Sequence, residues 1–187
     1  SQYVLWYTGG VLHMKNYNGG RKSTGKSKQI KPLTILVEAN STITGDDQGC
    51  IDLEGSLGQY HNVIISSNNG SKLTLNMNGS YGTVTAIDSD GGNRTESTVT
   101  IEGSVKVEAD VHNSSSSNNA MAFGIDAMDV IIRNSASFKA VCSTEAQNNS
   151  DIGCYGIVAN GTLTVDTTGT IDIDVSRASA DGRAYSI

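Results

Sequence analysis

Along most of the chain, apolar residues alternate with polar ones in short bursts separated by runs of Gly, Ser, Asn and Asp. Period-2 bursts predict β-strands with one face turned to a core, and no stretch requires a helix. The bursts also recur. Leu33/Ile35, Val63/Ile65, Val99/Ile101, Val130/Ile132 and Leu163/Val165 start at intervals of 30, 36, 31 and 33 residues. A second series follows them: Ile43, Leu73/Leu75, Val105/Val107, Phe138/Ala140 and Ile171/Ile173. A third runs through Ile51/Leu53, Val84/Ala86, Phe123/Ile125, Tyr155/Ile157 and Tyr185/Ile187, its last three members sharing an aromatic-x-Ile form.

A unit of three short strands, each apolar on alternate residues, cannot bury its inward face alone, so the units must stack. Winding the chain as a solenoid sets the same strand of each unit about 4.8 Å above its predecessor and gives every backbone group a partner in the next coil. The period excludes a left-handed helix of hexapeptide repeats, which needs about 18 residues per coil. A β-sandwich, built from hairpins at closer spacing, gives no reason for it. The expected fold is all-β, a right-handed parallel β-helix of about five coils with three strands each. Residues 33–187 form the repeats. Residues 1–32, where "YVLWY" and "VLHM" predict two strands before a basic loop, form a small N-terminal β cap.

The runs "GIDAMDVII" (124–132) and "GIVANGTLTV" (156–165) resemble the G-I-x-A-x-G-x-L-T-V units of right-handed, pectate-lyase-like β-helix proteins of bacterial surfaces, of the carbohydrate-binding or adhesin-like type. The resemblance covers roughly residues 33–187 and specifies the solenoid far better than any ligand. It implies an extracellular or surface location, and a glycan or a surface protein as partner.

Composition agrees with many tight turns: 21 Gly and one Pro in 187 residues, with abundant Ser, Thr and Asn. The net charge of −6 hides an asymmetry, since residues 1–32 hold Lys15, Arg21, Lys22, Lys26, Lys28 and Lys31 and no acid, while all 19 acids lie beyond. An acidic body repels phosphate beyond the basic arm, so no nucleic-acid partner is expected. No apolar run has the length of a membrane span. A chain opening on Ser is expected to be a processed or excised segment.

Within the basic arm, "GRKSTGKS" (20–27) fits the nucleotide-binding P-loop pattern. A P-loop must open a helix whose N-terminus completes the anion site. Pro32 and the strand-like "LTILV" follow instead, so no nucleotide binding is expected.

Catalytic chemistry has few candidates. Related β-helices degrade polysaccharides with two or three converging carboxylates. Here Asp46-Asp47 is the one adjacent pair, with His61 a coil away, and a lyase or hydrolase is the alternative to a binding module. No serine stands in the G-x-S-x-G nucleophile motif. "DSDGGN" makes Asp88 and Asp90 the weak candidate for calcium, but it lacks the distal bidentate Glu of an EF-hand; no other cofactor is expected. Cys50, Cys142 and Cys154 lack zinc-ligand spacing and are expected to be free thiols, with a Cys142–Cys154 bridge as the alternative. Seven Asn-x-Ser/Thr sequons (Asn40, Asn69, Asn78, Asn93, Asn113, Asn148, Asn160) accompany the Asn-rich turns.

The informative feature is where the repeat length varies. The segments 45–49, 78–82, 112–120, 143–151 and 176–183 all fall between the second and third strand, at one corner of the coil. Stacking aligns them along one edge, and insertions on one face of a solenoid often mark its binding face. The expected ligand-binding residues are Asp46, Asp47, Asn78, Tyr81, His112, Asn113, Asn118, Asn119, Gln147, Asn148, Asn149, Asp151, Arg177 and Arg183. Their amide, carboxylate and guanidinium groups suit sugar hydroxyls, and Tyr81 is the aromatic platform among them. The last strand, "AYSI", leaves room for self-association end to end or along a coil edge, and a stalk or spacer is the remaining alternative.

Overall fold

The computed structural model describes residues 4–23, 32–47, 49–53, 61–89, 97–117, 119–145, 153–177 and 184–185. Among them there is no helix. The first tier of the chain holds β1 (Val4–Thr8), β2 (Val11–Lys15), β3 (Asn18–Gly20) and β4 (Lys22–Ser23). Next come β5 (Leu33–Val37), β6 (Ser41–Thr44) and β7 (Ile51–Asp52), then β8 (His61–Ser67), β9 (Lys72–Gly79) and β10 (Thr83–Asp88). They are followed by β11 (Ser97–Gly103), β12 (Lys106–Asn113), β13 (Met121–Asn134), β14 (Ser137–Thr144), β15 (Cys154–Thr167), β16 (Ile171–Arg177) and β17 (Ala184–Tyr185).

These strands form a parallel β-solenoid of about four turns. The count is slightly lower than the five coils expected. One sheet collects the second strand of every tier in the order β16-β14-β12-β9-β6-β3. The other collects first and third strands together, because β13 and β15 each serve as third strand of one tier and first of the next. They turn that corner at a register shift between Ala127 and Asp129. At the N-terminal end β2, β3 and β4 lie parallel on β5, β6 and β7, and β1 lies antiparallel on β2.

The first series stacks as the periodicity predicts: Leu33 on Val63, Val63 on Val99, Val99 on Val130 and Val130 on Leu163. The second slips by one alternation. Val107, not Val105, lies between Leu73 and Phe138, with Ala109 between Leu75 and Ala140. Val105 is equally buried in the preceding turn, so apolarity alone could not tell the two apart. The third slips too: Ile87 aligns with Ile51 and Ile125, while Val84 aligns with Ala122. In β10 the four residues Val84, Thr85, Ala86 and Ile87 are all buried, which erases the alternation.

Ile35, Ile65, Ile101 and Ile132 form an inward ladder with no exposed surface. Each such side chain contributes about 1.5–3 kcal/mol through burial. Across the core stand Leu75, Ala109 and Ala140, with Phe138 filling the space beside the small residues. Gly124 lets β13 and β15 approach closely here. The pairing skips it on both sides, and a Cβ at this position would collide with the Gly156 carbonyl oxygen and meet Ala140.

Candidate functional site

Two corners join the strands within each tier. The first, between first and second strands, holds turns of two to four residues. The second lies between second and third strands, and the described residues of the expected site stand in it or beside it. Asn118, Gln147, Asn148, Asn149, Asp151 and Arg183 lie outside the described residues, as do Asp90, Lys26, Ser27 and the sequon at Asn93.

The second corner is built tier on tier. In the lowest loop Asp46 and Gly49 form an isolated antiparallel bridge, with Gly49 at φ 136°. Arg21 reaches across from the tier below, its guanidinium 3.5 Å from Asp46 Oδ1 and 3.2 Å from Asp52 Oδ2. Asp47 Oδ1 accepts the Ser80 backbone N–H at 3.1 Å and so ties this loop to the next. That loop carries Tyr81, whose side chain is 70% exposed although its backbone is held fast. Asn113 holds it: the Asn113 amide donates to the Tyr81 carbonyl at 2.7 Å and to the Met121 carbonyl at 2.8 Å, and its oxygen accepts the Ser115 N–H at 3.0 Å. Asn113 itself is fully buried. Its chemistry is thus spent on the corner, whereas Asn119 in the same loop is exposed.

Beside this ridge lies the outer face of the second-strand sheet. Asn78, His112, Ser143 and Ser176 occupy one row across four strands. Asn78 is exposed, and His112 is about one-third exposed, its Nδ1 2.8 Å from Ser143 Oγ and its Nε2 3.6 Å from Glu145 Oε1. Arg177 ends β16 in register with Thr144. Asp110 stands on the same face two residues before His112. The corner thus brings Asn78, Tyr81, His112 and Asn113 together, with Asp46 and Asp47 at its lower end.

Ser143, His112 and Glu145 form a connected serine–histidine–carboxylate chain that the sequence does not announce, since His112 is 31 and 33 positions from its two partners and meets them only through stacking. Acyl transfer would also need free N–H donors aimed at a developing oxyanion. Ser143 sits in a ladder paired on both sides, by β12 and β16, where backbone N–H groups are engaged. What the arrangement does provide is a fixed imidazole between two polar partners.

The other candidates are placed as follows. His61 begins β8 opposite Ser97. Asp88 lies in a ladder between Asp52 and Asp126. Among the described residues no group of three or more His, Cys, Asp or Glu is arranged to hold a metal ion. In the described part of "GRKSTGKS", Gly20 ends β3 and Lys22 and Ser23 form β4, paired to Ile51 and Asp52, and Lys22 Nζ donates to the Tyr17 hydroxyl at 2.6 Å. All three cysteines are free and buried. Burial is the largest cause that pushes Cys50 and Cys142 up to about 12. Tyr155 is half-buried, packed edge-on against Phe123 with ring centroids 5.1 Å apart. No described helix is long and apolar enough to cross a membrane.

No protein-family model matches the chain, and neither a curated protein nor a solved structure matches it.

Proposed function

We propose that this chain is a recognition module, extracellular or displayed on a cell surface, that binds a glycan along the second corner of the solenoid. The observation that carries this is Tyr81, an exposed aromatic ring on a backbone clamped by the buried amide of Asn113, beside the polar row Asn78, His112 and Ser143. An aromatic surface that is already fixed loses little conformational freedom on binding, and the flanking amide, imidazole and hydroxyl groups both donate and accept. With a single such platform, affinity per site is weak and rises through multivalent display.

A purely structural spacer is the second possibility. It is favoured by the last tier, where Val165 is 50% exposed and Leu163, Ile171, Ile173 and Val175 are only partly buried, a surface on which another tier could stack. A spacer would bind no ligand. A glycan array on the purified protein, repeated after residues 114–119 are replaced by a short Gly-Ser turn, separates the two. The recognition module predicts a defined set of bound glycans and a loss of about tenfold or more in the shortened variant. Binding to nothing supports the spacer, and undiminished binding moves the site away from this loop.

A further inference from the structure

The first corner holds a feature that the periodicity hides. Its turn after β8, residues 68–71, is longer than the turn after β5, residues 38–40, on which it stacks. The step in length leaves an open hollow of about 270 Å³ between the two tiers, lined by Leu36, Val37, Glu38, Asn68 and Asn69. Asn69 holds the upper rim rigid: its oxygen accepts from the hydroxyls of Ser67 at 2.8 Å and Ser71 at 2.5 Å, and its amide donates to the Glu38 carbonyl at 2.8 Å. Gly70, at φ 76°, makes the sharp turn that follows, and its N–H donates to Ser104 Oγ at 2.8 Å. The Asn68 side chain is left exposed.

Two strands of the first tier, β1 and β2, lie beside this hollow. His13 Nδ1 lies 2.7 Å from Glu38 Oε1, and the His13 ring stacks on Trp6 with centroids 4.7 Å apart and planes 10° from parallel. Trp6, His13 and Leu36 occupy one row across β1, β2 and β5. An aromatic pair, a carboxylate, an apolar wall and an amide are thus aligned over four successive strands about 4.8 Å apart. No single repeat contains this set.

We infer that this corner is a second ligand site, distinct from the Tyr81 ridge, and that it takes a neutral oligosaccharide running along the solenoid axis. The hollow is slightly smaller than the roughly 300–1,000 Å³ of pockets for larger ligands, which suits one sugar ring. Glu38 accepts hydroxyl protons, Asn68 both donates and accepts, and the aromatic pair and Leu36 offer apolar surface to C–H faces. A carboxylate in the hollow makes it unfavourable for acidic sugars.

Trp6 is the only tryptophan of the chain, so its fluorescence reports on this corner alone. Hexasaccharides of glucose (β1,4- and α1,4-linked), mannose, xylose and N-acetylglucosamine are the probes, with a polygalacturonate hexamer as the acidic control. The inference predicts a saturable emission change with at least one neutral probe and none with the acidic one. It predicts affinity about tenfold weaker in Asn68→Ala and Glu38→Gln but unchanged in Tyr81→Ala. Asn68 is exposed, so its removal leaves the fold intact even if Glu38→Gln loosens His13. No saturable change with any neutral probe overturns the inference, as does a change that persists in Asn68→Ala or disappears in Tyr81→Ala. Because the site does not use the Tyr81 ridge, its failure leaves the ridge standing, and the reverse holds.

Discussion

The two corners of each coil solve the same problem by different means. At the first, the turns are short and the backbone ladder continues through them, with Ser104 N–H donating to the Ser67 carbonyl at 2.8 Å, Ser135 N–H to Gly103 at 2.9 Å and Thr168 N–H to Asn134 at 2.8 Å, and side chains such as Asn69 and Ser104 add to it. Gly103 and Asn134 take left-handed conformations at equivalent points, φ 69° and 68°. At the second corner, side chains hold loops of different length, Asp47 to the Ser80 amide and Asn113 to the carbonyls of Tyr81 and Met121. A corner closed by backbone geometry constrains turn length and side-chain volume. One braced by the buried amide of Asn113 and the exposed carboxylate of Asp47 leaves loop sequence free for other uses, such as the display of Tyr81.

The largest effect expected from this contrast is at Gly103. A Cβ there would stand 2.6 Å from the Ser67 carbonyl oxygen in a conformation that β-branched residues avoid. Gly103→Val is expected to cost about 3 kcal/mol, read as a lower urea midpoint. A loss below about 1 kcal/mol would mean that the first corner is not locked by its backbone. Next comes Asn113→Ala, which leaves the Tyr81 and Met121 carbonyls without their buried donor and is expected to cost about 1–3 kcal/mol. If Asn113→Ala is neutral while Tyr81 stays ordered, the second corner is not held by side chains.

A third test concerns the inside of the second corner, where Cys50 follows the lowest loop and Cys142 lies two residues before Thr144. Their thiols are raised from the usual 9.0 to about 12 by burial, so above pH 9.0 the unfolded chain releases protons that the folded chain retains. Stability conferred by keeping these groups protonated is complete below pH 9.0 and is lost as pH rises toward about 12. The slope is of order 1 kcal/mol per thiol for each pH unit. Replacing both residues with Ala should flatten that part of the profile, and an unchanged profile would contradict a dry interior. A smaller effect is expected from shortening 114–119, below about 1 kcal/mol, because loop length adds little closure entropy while Asn113 remains.

Much of the fold was legible because a solenoid repeats one physical requirement. Leu33, Val63, Val99, Val130 and Leu163 could be aligned residue for residue from spacing, since each must point inward above the last. The alignment failed where burial stopped alternating, at Val105 beside its turn and in the run Val84 to Ile87. The candidate site was less legible for a related reason. Variable length located the second corner, but it could not separate Asn113, consumed in clamping the loop, from Asn119, exposed in the same loop. Trp6 and His13 belong to the first tier and Glu38 and Asn68 to the next two, and they share no local pattern, so only stacking brings them to one corner.

The most direct test of the central claim is calorimetric titration of the glycan best retained on the array into the parent protein and into Tyr81→Ala, with circular dichroism confirming an equal β content. Because the ring is exposed and its backbone is held by Asn113, the substitution should leave stability within about 0.5 kcal/mol of the parent. Binding by the parent and a loss of about tenfold or more in Tyr81→Ala is the predicted result. Equal affinity of the two proteins for that glycan would contradict recognition at the second corner.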